Sequence, residues 1–165
     1  LTGCYVQGGA LCIILNEPKI TLMTKRELAL AVAESHLGAP YKWGGNDSIE
    51  GFDCSGLIVE VLHSSGILAR DRDMTAAMLA AEYEETDVLE PGNLVFYDWN
   101  KDGRIDHVEM IAVVDDSGEM FTVGASGGGP ATTSRERAAA HNAFVKVRPL
   151  LPGFVSVVDP FADVE

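Results

Sequence analysis

The chain has 165 residues, enough for one compact domain with a buried core, and its 47% apolar and 22% charged residues exclude a disordered chain. A formal net charge of -13 argues against nucleic acid as a partner and against bulk attraction to anionic membranes or wall polymers. No apolar run reaches the roughly 18 residues that suggest a transmembrane segment, and nothing in the pattern fixes an oligomeric state.

Residues 1–22 read as an N-terminal appendage of unassigned role. Leu1-Thr2-Gly3-Cys4 resembles the lipidation box of bacterial lipoproteins, but charged and apolar signal regions are missing and Ala10 to Leu15 is too apolar for a polar tether. Lipid anchoring at Cys4 is therefore the disfavoured reading. Cys4, Cys12 and Cys54 do not make a disulfide framework. Cys4 and Cys12 are free to pair with each other, leaving Cys54 unpaired, and the sequence does not decide it.

The domain proper is expected over residues 23–150. Thr24 followed by Glu27 is a capping box that opens a helix running to Gly38. Ala39 to Asp53 is a loop rich in glycine and aromatics. A second helix is predicted from Cys54 to Ser65, stopped by Gly66, with Leu57, Ile58, Val61 and Leu62 at helical spacing from Cys54. A third helix is expected over Met74 to Glu84. From Pro91 the period changes to two. Strands are predicted over Asn93–Tyr97, His107–Val114 and Glu119–Val123, the last two joined by the turn Asp115-Asp116-Ser117-Gly118. Gly124 to Pro130 reads as a loop, Arg135 to His141 as a short helix and Phe144 to Arg148 as a further strand. Residues 151–165 are set down as a C-terminal tail. Helices followed by antiparallel strands predict an α+β fold with the helices packed on one face of a central antiparallel β-sheet.

Cys54 is the candidate for chemistry. A thiol at a helix N-terminus meets unpaired amides and a favourable dipole, both of which stabilise the thiolate that attacks carbonyl carbon. Gly51 and Gly56 bracket it and permit a close backbone approach, while Tyr41 and Trp43 on the preceding loop are suited to line a cleft. The bland reading is an inert core cysteine. His107, at the start of a strand, is the candidate base; His36, His63 and His141 lie on helices and rank lower.

Four segments, Gly38-Ala39-Pro40-Tyr41-Lys42-Trp43-Gly44-Gly45, Phe52-Asp53-Cys54-Ser55-Gly56-Leu57, Pro91-Gly92-Asn93-Leu94-Val95-Phe96 and Asp106-His107-Val108, resemble the successive motifs of the NlpC-type cysteine peptidases. The resemblance implies a papain-like fold and an extracytoplasmic endopeptidase, bacterial or phage (endolysin-like), that hydrolyses stem peptides of peptidoglycan without a cofactor in the chemistry. It assigns Cys54 as nucleophile, His107 as general base and Tyr41 as a tyrosine near the thiol. Asp53, Ser55 and Trp43 then border the substrate. The family's third polar residue, often histidine, falls on Gly124, which has no side chain. Thr122, Glu109 (where the family usually has glycine) and a backbone carbonyl or water are the substitutes. Two alternatives stand beside this reading: an amidase or acyl-transfer enzyme with the same thiol and imidazole, and a noncatalytic calcium-stabilised wall-binding module.

Asp98 to Glu109 also matches the calcium-loop template. Asp98, Asn100, Asp102, Asp106 and Glu109 stand at ligand positions 1, 3, 5, 9 and 12, the Arg104 carbonyl at position 7 and Gly103 at position 6. The flanks are strands rather than helices, so the competing expectation is a metal-free acidic turn.

Overall fold

The computed structural model describes residues 22–164. The expectations placed on residues 1–21, including those for Cys4 and Cys12, lie outside the described residues.

The capping box forms as written: the Thr24 hydroxyl accepts the Glu27 amide at 3.1 Å, and the Glu27 carboxylate accepts the Thr24 amide at 2.8 Å. Helix α1 follows over Lys25–Ser35. A small ribbon, β1 (Asn46–Asp47) with β2 (Gly51–Phe52), carries the chain into α2 (Cys54–Ser64). The apolar stripe of α2 is the centre of the core: Leu57, Ile58, Val61 and Leu62 are fully buried.

Helix α3 spans only Ala76–Glu82, shorter than its alanine-rich composition suggests. Tyr83 turns to extended backbone, and Glu84–Glu85 become strand β3. Pairing with a distant strand overrides local helix propensity here.

Strands β4 (Leu94–Tyr97), β5 (His107–Val114), β6 (Met120–Ser126), β7 (Phe144–Pro149) and β8 (Phe154–Asp159) complete the sheet, with α4 (Arg135–Ala140) between β6 and β7. Its order is β3-β8-β4-β5-β6-β7 and each of these neighbours is antiparallel. Two spans differ from expectation. Gly124, Ala125 and Ser126 continue β6, because they pair with Lys146, Val145 and Phe144, and the loop begins only at Gly127, which has φ 89°. Residues 154–159, inside the span set down as a tail, form β8 between β3 and β4.

The α+β arrangement puts α1 and α2 on one sheet face, against Val108, Met110, Val123, Ala125 and Val145. The other face carries a smaller cluster of Val95, Tyr97, Ile111 and Val157, covered by Leu150, Leu151 and Phe154. Arg26 of α1 clamps the β8 end of this assembly. Its guanidinium donates to both Asp159 carboxylate oxygens at 3.0 Å, to the Asn93 side chain at 3.0 Å and to the Pro91 carbonyl at 3.1 Å. It also lies 4.9 Å from the centre of the Phe161 ring. Among the described residues, no helix is long and apolar enough to cross a membrane.

Candidate active site

Cys54 is the first residue of α2 and Asp53 its N-cap. The Asp53 carboxylate is fully engaged. One oxygen accepts the Gly56 amide at 2.8 Å and the Ser55 hydroxyl at 3.2 Å; the other accepts the Gly44 amide at 2.9 Å. Asp53 thus fixes the helix start and pins the preceding loop to it. Close packing completes the junction. A Cβ on Gly56 would sit 2.1 Å from the Gly45 carbonyl oxygen, and one on Gly45 would sit 2.3 Å from that of Gly51. The glycines around Cys54 are needed for contact between backbones.

Tyr41 is delivered by this loop and is buried. Its amide donates to the Ala143 carbonyl at 3.0 Å, and Gly128 lies so close to its ring that an added Cβ would come within 2.1 Å. Burial raises the phenol pKa, and the neighbouring Cys54 and Asp53 raise it further, so the hydroxyl keeps its proton and can only donate or accept a hydrogen bond. Trp43, two residues further along the same loop, is half-exposed.

His107 opens β5, opposite Tyr97 in register, and its side chain is only 11% exposed. Tyr97 stacks on Trp99 at 4.4 Å between ring centres, and the two rings lie 5.8 and 6.1 Å from the imidazole. Strand β5 thereby brings the imidazole close enough to Cys54, more than fifty positions upstream, for the two groups to act on each other electrostatically. Burial pulls the imidazole pKa down, but Cys54 and Glu109 outweigh it and push it from 6.5 up to about 9. At neutral pH the ring is held as imidazolium beside a sulfur at a helix N-terminus. That is the arrangement of an activated thiol nucleophile. Cys54 is free and half-buried. The other histidines are placed elsewhere: His36 packs edge-on against Phe52, His63 bonds the Arg72 carbonyl, and His141 caps α4.

A cleft of about 230 Å³ runs beside the start of α2, lined by Asp53 and Ser55 together with Gly44, Gly45 and Asn46 on one wall and Asp73, Met74, Thr75 and Met78 on the other. The Asp73–Met78 wall carried no motif in the sequence; only the packing of α3 against α2 reveals it.

The calcium template is not realised around all its letters. Glu109, expected as its twelfth ligand, is fully buried and turned to His107, Thr122 and Arg148. Asp98 accepts the amides of Asp102 and Gly103, Asn100 that of Asp102, and Asp106 that of Trp99. The short polar side chains close the turn on itself. Among the described residues no group of three or more metal-binding side chains converges.

The family and fold agree with known proteins. The sequence profile of the NlpC/P60 family matches residues 38–148. A probable endopeptidase p60 of Listeria innocua is 38% identical over 79 residues, covering 48% of this chain and 16% of the relative. The murein DD-endopeptidase MepH of Escherichia coli is 30% identical over 106 residues, covering 62% and 39%. The chain therefore spans well under half the length of these relatives. The P60 domain of a Mycobacterium avium subspecies paratuberculosis antigen superposes with a TM-score of 0.59 at 23% identity, covering 82% of this chain and 94% of that domain.

Proposed function

This chain belongs to the NlpC/P60 family, and from that premise we propose that it is a cysteine endopeptidase that hydrolyses peptide bonds in the stem peptides of bacterial peptidoglycan. The observation that carries the reading is the approach of His107, at the start of β5, to Cys54, at the N-terminus of α2, with Cys54 among the groups that raise the imidazole pKa. The curated relatives support the substrate class, since those named above are endopeptidases by name.

In the proposed reaction the Cys54 sulfur attacks the scissile carbonyl carbon, and the electron pair of the C=O bond moves onto oxygen. The unpaired amides at the start of α2 meet that oxyanion, with the protonated Tyr41 hydroxyl as a further donor. The intermediate collapses, the C–N bond breaks, and His107 gives its proton to the leaving amine. The acyl group stays on sulfur as a thioester. Water then attacks the thioester carbon while His107 takes its proton, the C–S bond breaks, and the peptide leaves with a new carboxylate as the thiol–imidazole pair is restored. Asp53 acts by holding the helix start and the Tyr41 loop together. Ser55 faces the cleft, and Trp43 offers an exposed apolar surface. The acidic chain binds its substrate in this cleft rather than by surface charge.

Digestion of purified peptidoglycan, with products identified by mass spectrometry, tests the reading. Wild type should release fragments with one new amine and one new carboxyl within the stem peptide, and Cys54→Ala should release none while melting as wild type does. Hydrolysis by Cys54→Ala, or cleavage of a bond outside the peptide, would refute it.

A further inference from the structure

Gly124 lies in the interior of β6 and is not among the glycines with positive φ, so glycine is a poor choice there: it costs roughly 0.5–1 kcal/mol against alanine and brings no side chain to the sheet. Its reason is on the neighbouring strand. The register that pairs Met110 with Val123 brings Glu109 opposite Gly124. A Cβ on Gly124 would lie 2.7 Å from Glu109 Cγ and 2.9 Å from its Oε1, inside the distance any real Cβ tolerates. The glycine is room for the glutamate.

Glu109 uses that room to reach His107. The two share one face of β5 by the strand's period of two, and Glu109 Oε1 accepts His107 Nε2 at 3.2 Å. Nε2 is thereby committed to the carboxylate, which leaves Nδ1 for the Cys54 side. A fully buried carboxylate survives only if its lone pairs are met. Here Thr122 Oγ1 donates to Oε2 at 2.6 Å, Arg148 Nε donates to Oε2 at 3.2 Å, and Arg148 Nη2 reaches Oε1 at 2.6 Å. Burial works against the charge, but these donors outweigh it and hold the carboxyl below its ordinary range.

Resting on the peptidase reading above, we propose that Glu109 is the positioning residue for the His107 base, supplied from the base's own strand, and that Gly124, Thr122 and Arg148 form the socket that holds it there. The position that the family resemblance leaves empty is filled by a side chain from one strand over. The charged and titratable groups around the imidazole are Cys54 from α2, Tyr97 from β4, Glu109 from β5 and Arg148 from β7. Arg148 Nη2 stands 3.5 Å from His107 Nε2, a like charge that Glu109 offsets. The two residues therefore push the base in opposite directions, which a merely structural role would not do.

The test is the His107 titration, followed by imidazole NMR in the full chain, beside the pH dependence of kcat and KM on muropeptide. In Glu109→Gln the guanidinium is left uncompensated. His107 should then titrate at least one pH unit lower than in wild type, with kcat falling on the order of 10²-fold and KM little changed. Arg148→Gln should move the titration the other way or leave it in place. Gly124→Ala keeps every polar group but evicts the carboxylate, and should reproduce the downward shift even if Glu109→Gln proves too unstable to measure. An unmoved His107 titration in Glu109→Gln or Gly124→Ala, or a downward shift in Arg148→Gln equal to theirs, would overturn the assignment. Should wild type cleave no muropeptide, the peptidase reading fails while the titration still decides the role of Glu109.

Discussion

Gly56 is the third residue of α2, where alanine would ordinarily favour a helix by about 1 kcal/mol. Packing reverses that sign. The added Cβ would lie 2.1 Å from the Gly45 carbonyl oxygen, 3.1 Å from its carbon and 3.2 Å from Asn46 Cα, against a working minimum of 3.0 Å, so the loop must retreat by about 0.9 Å. It has little freedom to do so. The same Gly45 oxygen accepts the Asp53 amide at 2.9 Å, and the Gly45 amide donates to Lys42 at 2.9 Å. Overpacking against backbone costs about 1–3 kcal/mol and a weakened hydrogen bond about 1 kcal/mol. After the helix gain, Gly56→Ala should be destabilised by about 1–3 kcal/mol, or roughly 3–9 °C in Tm for a domain of this size. Activity should fall further than stability, because the displaced loop carries Tyr41 away from Cys54. Thermal unfolding followed by circular dichroism measures this against Gly129→Ala, whose Cβ meets nothing within 4 Å and which should melt at or slightly above wild type. A Gly56→Ala protein melting at or above wild type would refute the packing argument.

Arg26→Ala should cost about 2–4 kcal/mol in urea unfolding, since it leaves the largely buried Asp159 without its two-pronged partner and uncovers Phe161; a loss below about 0.5 kcal/mol would show the clamp to be inert. Stability should also depend on alkaline pH. His107 has a folded pKa raised to about 9 from 6.5, so its contribution is whole below pH 6.5 and is lost as the pH climbs through about 9. The urea midpoint should fall across that window, and fall less in Cys54→Ala, where one of the two groups raising the pKa is gone; a midpoint that rises would contradict the sign. Chelation with EDTA should leave Tm unchanged, because the oxygens of the 98–106 turn are closed by the turn's own amides; a Tm that drops on chelation and recovers with calcium would show that the turn rearranges around an ion.

Much of this was legible in the sequence where the signal is local. The capping box at Thr24, the buried stripe behind Cys54 and the limits of β5 each rest on a few neighbouring residues and all formed as read. What depended on distant pairing was not legible. Strand β8 looks like a tail until β4 is seen to have a free edge beside it. The β6 strand runs on through Gly124 because β7 pairs with it, although glycine next to more glycine reads as loop. The role of Arg148 follows from the register of three strands and leaves no mark in one. The calcium template was ambiguous for a different reason. Aspartate and asparagine that would ligate an ion are the same residues that close Asx turns, so the letters alone admit both outcomes. Glu109 then had two competing claims on it, a metal site and the base, and only its burial against His107 separates them.

The central claim is that the Cys54 sulfur forms the bond to substrate, and single-site alkylation tests it most directly. Treatment with limiting iodoacetamide at neutral pH, followed by peptide mapping, gives the fraction of Cys54 modified; residual muropeptide hydrolysis is read on the same samples. Activity should fall in proportion to modification at Cys54 and reach zero when that residue is fully blocked. Undiminished turnover in protein carrying a carboxamidomethyl group on every Cys54 would contradict the account.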